Sequence, residues 1–265
     1  MAVYADLLRY RELFQNLFRR DLQAKYKGSA LGVAWSLVNP AVLMGIYVVV
    51  FSVLWKAVDI PHYPLYLLTG LSFWIFFSAS LQSAARSMVD SAELIKKVRF
   101  PRQLVAFSVV ATHLVTFAAM LGVLIVVDLI VIPSTRDTVW LAIPIAVPLV
   151  ALVAGLALTV SSLNVVLRDV EHIVGAVLLP WFFLTPIIYR LERLPGSLHD
   201  HHTLAQVLRY GNFVTPPIYA LRDPLFFGRL PRLVDVVYLL VAAAVALALG
   251  SFVFSRVDDR IPVEL

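Results

Sequence analysis

Apolar runs of membrane-crossing length recur along almost the whole chain, at 31–55, 65–85, 104–132, 140–167, 173–189 and 233–255. A helix needs about 20 apolar residues to cross a bilayer, so the pattern predicts six spans. The fifth run is short and carries Pro180 and Pro186. A proline removes a backbone donor, so this run reads as a kinked or broken helix whose freed carbonyls are satisfied by neighbours or water. Ahead of the first span, Leu7, Tyr10, Leu13, Phe14, Leu17, Phe18 and Leu22 recur at helical spacing, with Arg9, Glu12, Gln15, Asn16, Arg19 and Arg20 opposite. That spacing predicts an amphipathic helix lying along the membrane surface. Between the last two spans, Leu204, Val207 and Leu208 begin a helical stretch, Gly211-Asn212 breaks it, and Pro216-Pro217 starts another through Ile218, Tyr219 and Leu221. This reads as a helix-turn-helix in an external connection, dipping into the outer leaflet. The expected fold is an all-α integral membrane protein forming one domain over 1–265, with six transmembrane helices and no internal repeat. Its expected subdivisions are an amphipathic interface helix within 1–30, a short helix in the 86–103 loop, and the re-entrant helix-turn-helix in the 190–232 connection.

Composition agrees with the pattern and sets the orientation. Sixty per cent of the 265 residues are hydrophobic and 15% charged, against about 45–50% and about 25% in an ordinary soluble domain. The basic excess would suggest nucleic acid in a soluble chain, but topology accounts for it here. Arg9, Arg11, Arg19, Arg20, Lys25 and Lys27 precede the first span, and Arg86, Lys96, Lys97, Arg99 and Arg102 lie between the second and third. Arg168 follows the fourth, and Arg256 and Arg260 end the chain, whereas the opposite short connections offer only Lys56 and Arg136. Positive flanks stay in the cytoplasm, so both termini and the 86–103 loop are expected to be cytosolic in a multi-pass protein. The first 30 residues lack a compact apolar core with a small-residue cleavage site and are expected to remain in the mature protein. With no cysteine, disulfides and thiolate metal sites do not arise.

Few residues suggest covalent chemistry. No segment matches GxxxxGK[ST], the loop that cradles nucleotide phosphates, so the chain is not expected to be its own ATPase. The titratable candidates inside the spans are His113 and Asp128; Asp128 lies near the end of its run and reads as structural rather than as a proton relay. His199, Asp200, His201 and His202 follow Pro195-Gly196 and read as a solvated turn, since adjacent residues do not converge on one ion without a tight loop. Nor does any Ser, His and carboxylate set support a hydrolase. No cofactor and no metal are expected in this chain. Aromatics are more informative. Phe73, Phe76 and Phe77 share one helical face, and Trp181, Phe182 and Tyr189 sit in the broken fifth span. They read either as ordinary packing and lipid-facing aromatics or as a wall on which sugar rings stack. The 86–103 loop is the most specific feature: Ser91-Ala92-Glu93-Leu94-Ile95-Lys96-Lys97-Val98 predicts a short charged helix, and Phe100-Pro101-Arg102 turns the chain back to the membrane. Leu94, Ile95 and Val98 suit docking in a groove of a soluble partner; the alternative is a basic stop-transfer loop.

The stretch Arg20-Asp21-Leu22 through Lys25-Tyr26-Lys27-Gly28-Ser29-Ala30-Leu31-Gly32-Val33-Ala34-Trp35-Ser36-Leu37-Val38-Asn39-Pro40 resembles the opening signature of type-2 ABC exporter permeases that move polysaccharides, including O-antigen, capsule and teichoic acid systems. Leu94-Ile95-Lys96-Lys97-Val98-Arg99-Phe100-Pro101-Arg102 resembles their coupling helix. Asn164 to Val170, Trp181 to Tyr189 and Gly211 to Ile218 are similar to later segments of that family in the same order, although Gly211-Asn212-Phe213 stands where many members have Asn-Pro. The resemblance implies a homodimeric, non-enzymatic transport subunit working with a separate nucleotide-binding subunit that holds ATP and Mg²⁺. It implies a lipid-linked polysaccharide as substrate and no nucleic-acid partner. Coupling to the ATPase would fall to Glu93, Leu94, Ile95, Lys96, Lys97, Val98, Arg99, Phe100, Pro101 and Arg102, and the interface helix would contribute Arg19, Arg20, Asp21, Lys25, Tyr26 and Lys27. Spans one, two and five would line the path, with Trp35, Phe73, Phe76, Phe77, Trp181, Phe182 and Tyr189 along it. Competing readings are a type-2 ABC exporter of drugs or small lipids and a membrane-embedded glycosyl-lipid enzyme.

Overall fold

A computed structural model describes residues 9–28, 32–54, 60–98, 100–191 and 206–264. Among them every regular element is helical. The first, α1 (Arg11–Tyr26), turns Leu17 inward against Leu104 and Val105, with Leu13, Phe14 and Phe100 packed around them. Its polar residues stay outside, as the amphipathic spacing predicts; Leu7 lies outside the described residues. Helix α2 (Trp35–Val48) continues through a wider turn, Val49–Leu54. Then comes α3 (Tyr63–Asp90), opened by His62 at φ 53° and by Pro64 in its first turn. A proline there loses no intrahelical bond, because the first amides of a helix have no partner in it.

Helix α3 is the centre of the bundle. It packs on α5 (Gln103–Val131) and α6 (Ala142–Val166), and it buries Tyr66, Phe73, Phe76, Phe77 and Met88. Between α3 and α5 lies the short α4 (Ala92–Lys97). The loop predicted over 86–103 is therefore shorter than expected, since α3 carries Arg86 and Asp90 on its last turns. Continuing the helix answers amides that the polar residues there would otherwise leave open.

Helix α7 (Val170–Leu184) is cut short at Thr185, which is extended at ψ 131°. Pro186 explains the break, because its ring forces the preceding residue out of the helical region. The chain resumes in a wide turn, Val207–Gly211, and in α8 (Thr215–Leu225), whose residues are all buried. Leu204 of the expected helix-turn-helix lies outside the described residues, but the break at Asn212 and the restart at the prolines fall as predicted. Finally α9 (Leu233–Val257) runs along α6, and α10 (Ile261–Glu264) closes the described chain. Gly155 and Gly250 permit this contact: a Cβ on Gly155 would overlap the backbone of Ala246 and Leu247, and one on Gly250 the carbonyl of Gly155. Among the described residues four helices are long and apolar enough to cross a membrane: Tyr63–Asp90, Gln103–Val131, Val139–Val166 and Leu233–Val257. The first and fifth expected spans correspond to shorter apolar helices, Leu37–Phe51 and Val170–Leu184.

Candidate functional site

The basic end of the bundle is built on α4. Six residues make fewer than two turns, so the helix depends on what it packs against. Ile95 is 4% exposed, in a cluster with Met88, Ala106, Phe107, Leu158, Val165, Phe254 and Ile261. Leu94 is half-buried against the cluster around Leu17, whereas Val98 is 48% exposed. Of Leu94, Ile95 and Val98, read from sequence as suited to a partner's groove, Ile95 turns inward and its side chain anchors α4 to the body. Facing outward are Glu93, Lys96, Lys97 and Val98, with Lys97 and Glu93 in an exposed pair at 3.1 Å, which contributes little on its own. Phe100 packs against both clusters. After Pro101, Arg102 donates from Nη1 to the Asp258 carboxylate at 2.7 Å and to the Asp258 carbonyl, tying the α4 loop to the end of α9. Arg99 lies outside the described residues.

Beside this, α1 rests on α5 through polar as well as apolar contacts. Arg20 pairs with Asp21 at 2.8 Å and reaches Ser91 Oγ at 3.3 Å, where α4 begins. Ser108 Oγ donates to the other Asp21 oxygen at 2.6 Å. Lys25 donates to Thr116 Oγ1 at 3.1 Å and lies 3.5 Å from His113 Nδ1; its ammonium also lies over the Tyr26 ring. Arg19 and Lys27 are exposed.

Two grooves meet at Lys25. The larger, about 850 Å³, runs between α1, α3, α5 and the start of α7 and is lined by Arg20, Lys25, Ser83, Arg86, His113 and Glu171, among others. The smaller, about 480 Å³, is apolar and is lined by Trp35, Ile75, Phe76, Phe117 and Met120, among others. Lys25 and His113 line both.

The aromatics expected along a channel are brought together, but mostly inside the subunit. Phe76 stacks on Phe117 at 5.0 Å, Phe77 meets Trp181 edge-on at 5.6 Å, and Trp181 meets Phe213 at 5.0 Å. Phe182 stacks on Tyr47 at 5.7 Å. Phe73, Phe76, Phe77 and Phe182 are buried, so within this subunit they are core and not an open wall. The reason is geometric: residues at i, i+3 and i+4 on α3 share the face that meets α5 and α7. Trp35 is the exception, 52% exposed beside the apolar groove. Tyr189 lies past the break in α7, and its carbonyl accepts from Tyr66 Oη at 2.8 Å.

At the opposite end, a buried polar network holds this break. Arg222 on α8 is fully buried, stacks over Tyr66 at 3.8 Å, and donates to Tyr66 Oη at 2.8 Å, Pro186 O at 2.9 Å and Ile187 O at 3.2 Å. These are carbonyls that the interrupted helix leaves unanswered. Asn212 ties the same region together, accepting from Trp181 Nε1 and donating to Thr185 Oγ1, both at 2.9 Å. Arg209 and Asp235 form a buried pair at 2.6 Å, and Arg229 pairs with Asp223 at 2.8 Å. Burial pushes the Asp223 carboxyl above its ordinary range, while Arg229 pulls the other way. Sequence reasoning missed this network. Its available signal was Arg222-Asp223 standing in a proline-started helix of mostly apolar residues, where charges must find partners. Asp128, expected to be structural, is fully buried, and its carboxylate oxygens have no hydrogen-bond partner among the described residues. No group of three or more metal-ligating residues occurs among the described residues, and His199 to His202 lie outside them.

Residues 12–226 match the model of the ABC-2 type transporter family. This chain belongs to that family. The ABC-2 protein is 34% identical over 248 residues to the O-antigen export system permease protein RfbA of Myxococcus xanthus, across 92% of this chain and 90% of that one. It is 34% identical over 186 residues to a protein of the same name from Klebsiella pneumoniae, across 69% of this chain and 71% of the relative. A second Klebsiella pneumoniae protein of that name is 33% identical over 186 residues, with the same coverage. The α4 loop and the interrupted α7 both lie within the matched residues.

Proposed function

We propose that this chain is the membrane subunit of an ATP-driven exporter that moves a lipid-linked polysaccharide out across the bacterial cytoplasmic membrane. The observation that carries the reading is the similarity to an O-antigen export permease along nine-tenths of both chains. The chain crosses the membrane six times as one domain, with both termini and α4 in the cytosol, and works as a homodimer. ATP and Mg²⁺ belong to a separate nucleotide-binding subunit. Its motion enters at Glu93, Lys96, Lys97 and Val98, the outward face of α4. Ile95 and the Arg102–Asp258 contact then pass it to α3, α5 and α9, because a helix bolted to a packed cluster moves with it as a unit. Trp35, which is exposed beside the apolar groove, lies along the glycan path. Broad aromatic faces hold sugar rings by contact area without the tight grip of charged clamps.

The test is complementation. A strain lacking its own O-antigen permease, supplied with this chain and its cognate ATPase, is expected to show long-chain glycan at the cell surface. The chain alone, and the pair with an ATPase unable to hydrolyse ATP, should leave glycan lipid inside. Surface glycan with the inactive ATPase would sink the reading, as would the export of small amphiphiles but no glycan by the active pair.

A further inference from the structure

The geometry points to Arg86 and Glu171 as positioning residues: they make the first half of α7 follow the end of α3, so that movement entering at α4 sets the tilt of α7. This rests on the proposed coupling to a separate ATPase and supplies the route by which movement leaves α3 for the broken span.

Burial along α7 shows how little else holds its first half. From Val170 to Val177 no side chain is buried within this subunit, and Val174 packs against the core only in part. The buried residues of the helix, Leu178 and Phe182, lie in its second half. So does Trp181, which meets Phe77 edge-on at 5.6 Å and donates to Asn212. Two polar contacts hold the first turn. The Glu171 amide donates to Oδ1 of Asn164, a buried residue near the end of α6, at 3.0 Å. The Glu171 carboxylate accepts from both Nε and Nη2 of Arg86, at 3.1 Å each. His172, the other basic group at Glu171, is 3.6 Å away on the same helix and links no second helix through this contact.

Arg86 stands on the part of α3 that is fixed to α4. Met88, in the same last turns, is fully buried in the cluster that holds Ile95. A shift of α4 therefore carries Arg86 with it, and a two-pronged pair fixes direction as well as distance. Asn164 holds a backbone amide from α6 and serves as the hinge; Arg86 holds a side chain from α3 and serves as the arm. From Glu171 to Trp181 is about 15 Å of helix, so a displacement at Glu171 tilts the first half about the aromatic contact. Arg86 is 61% exposed and Glu171 22%, and so open a pair contributes little to stability. Its loss leaves the fold in place and removes the link between α3 and the start of α7.

The experiment uses the complex of this chain with its ATPase in nanodiscs. The chain has no cysteine, so Ile173→Cys, at a position 59% exposed in the first half of α7, gives it a single labelling site. The rate of N-ethylmaleimide labelling is measured without nucleotide and with ATP held by an ATPase unable to hydrolyse it. With Arg86 and Glu171 in place the two rates should differ by about fivefold or more, the lower end of ordinary coupling between sites. Arg86→Gln and Glu171→Gln should each make the two rates equal, with assembly, ATP binding and thermal midpoint unchanged. Arg168→Gln, on the exposed turn before α7, should keep the full response. Arg86→Glu combined with Glu171→Arg should regain a response that Arg86→Glu alone lacks, which a role in local packing would not produce. A full response in the assembled glutamine variants would overturn the joint, as would a double variant no better than Arg86→Glu; if one glutamine variant fails to assemble, the other decides. An ATP response without glycan export by the active pair would leave the joint standing and end the export reading. Export by an Ile173→Cys pair whose labelling ignores ATP would end the joint and leave the export reading.

Discussion

Arg222 shows how one side chain can complete a backbone that a proline has opened. Pro186 ends α7 and leaves carbonyls facing the interior, and the guanidinium on α8 answers those of Pro186 and Ile187 while lying flat on Tyr66. Gly70 is part of the same arrangement, since a Cβ there would run into Arg222 Nη2. Replacing Arg222 with Met keeps bulk but strips those acceptors of donors, and each buried group left unanswered costs roughly 1–3 kcal/mol. Arg222→Met is expected to lower the thermal midpoint in detergent markedly, whereas the exposed Arg232→Met changes stability by no more than about 0.5 kcal/mol. Arg222→Lys should recover only part of the loss, because an ammonium lacks the planar fork that meets two carbonyls and a ring together. Equal melting of Arg222→Met and Arg232→Met would refute this account. In sequence, Arg222 resembles any charge in a connection. Its burial follows from where α8 folds back, which no local pattern states.

Apolar periodicity and proline positions made most elements legible. The runs around α3, α5, α6 and α9 were visible because burial in a bilayer demands continuous apolar length. The end of α7 was visible because Pro186 acts on the residue before it whatever the surroundings. What stayed hidden was the facing of α4. A helix of six residues gives too little periodicity to separate an inward from an outward side, and Leu94, Ile95 and Val98 are alike in kind. The structure separates them, so their substitutions should behave differently. Ile95→Ser empties a buried site and adds a hydroxyl, and truncation of a buried aliphatic costs about 2–5 kcal/mol; loss of folded protein on size exclusion is the expected outcome. Val98→Ser should leave folding intact but weaken association with the ATPase by roughly tenfold or more if Val98 is an interface anchor. A pull-down of the ATPase with each variant, normalised to folded permease, checks both. Normal pull-down by Val98→Ser would remove Val98 from the interface.

At the scale of the whole molecule, the basic end gathers parts of the chain that are far apart in sequence. Leu17 from α1, Ile95 from α4, Leu104 and Phe107 from α5, Leu158 from α6, and Phe254 and Ile261 from the last two helices form two adjoining clusters, bridged by Phe14 and Phe100. The role of the final residues was not legible beforehand. Arg256 and Arg260 served only to orient the chain, and nothing local reveals that Ile261 is fully buried beside Ile95 or that Asp258 holds Arg102. Removing the residues after Val257 therefore strips two supports from α4 without touching a membrane-length helix. Such a chain should still insert, reach the membrane in normal amount and bind the ATPase, since the outward face of α4 is unchanged. What it loses is the stiffness that makes α4 move with α3 and α9, so ATP hydrolysis should continue while glycan exported per ATP falls. Ile261→Ala, costing about 2–5 kcal/mol at a buried site, should reproduce most of the loss. Asp258→Asn should reproduce less, because its carbonyl still accepts from Arg102. The decisive measurement is export and hydrolysis in the same proteoliposomes. If the shortened chain keeps the wild-type ratio, the last residues do not support α4; if hydrolysis and export fall together with the amount of assembled complex, the truncation has acted on assembly rather than on transmission, and the stiffness argument fails.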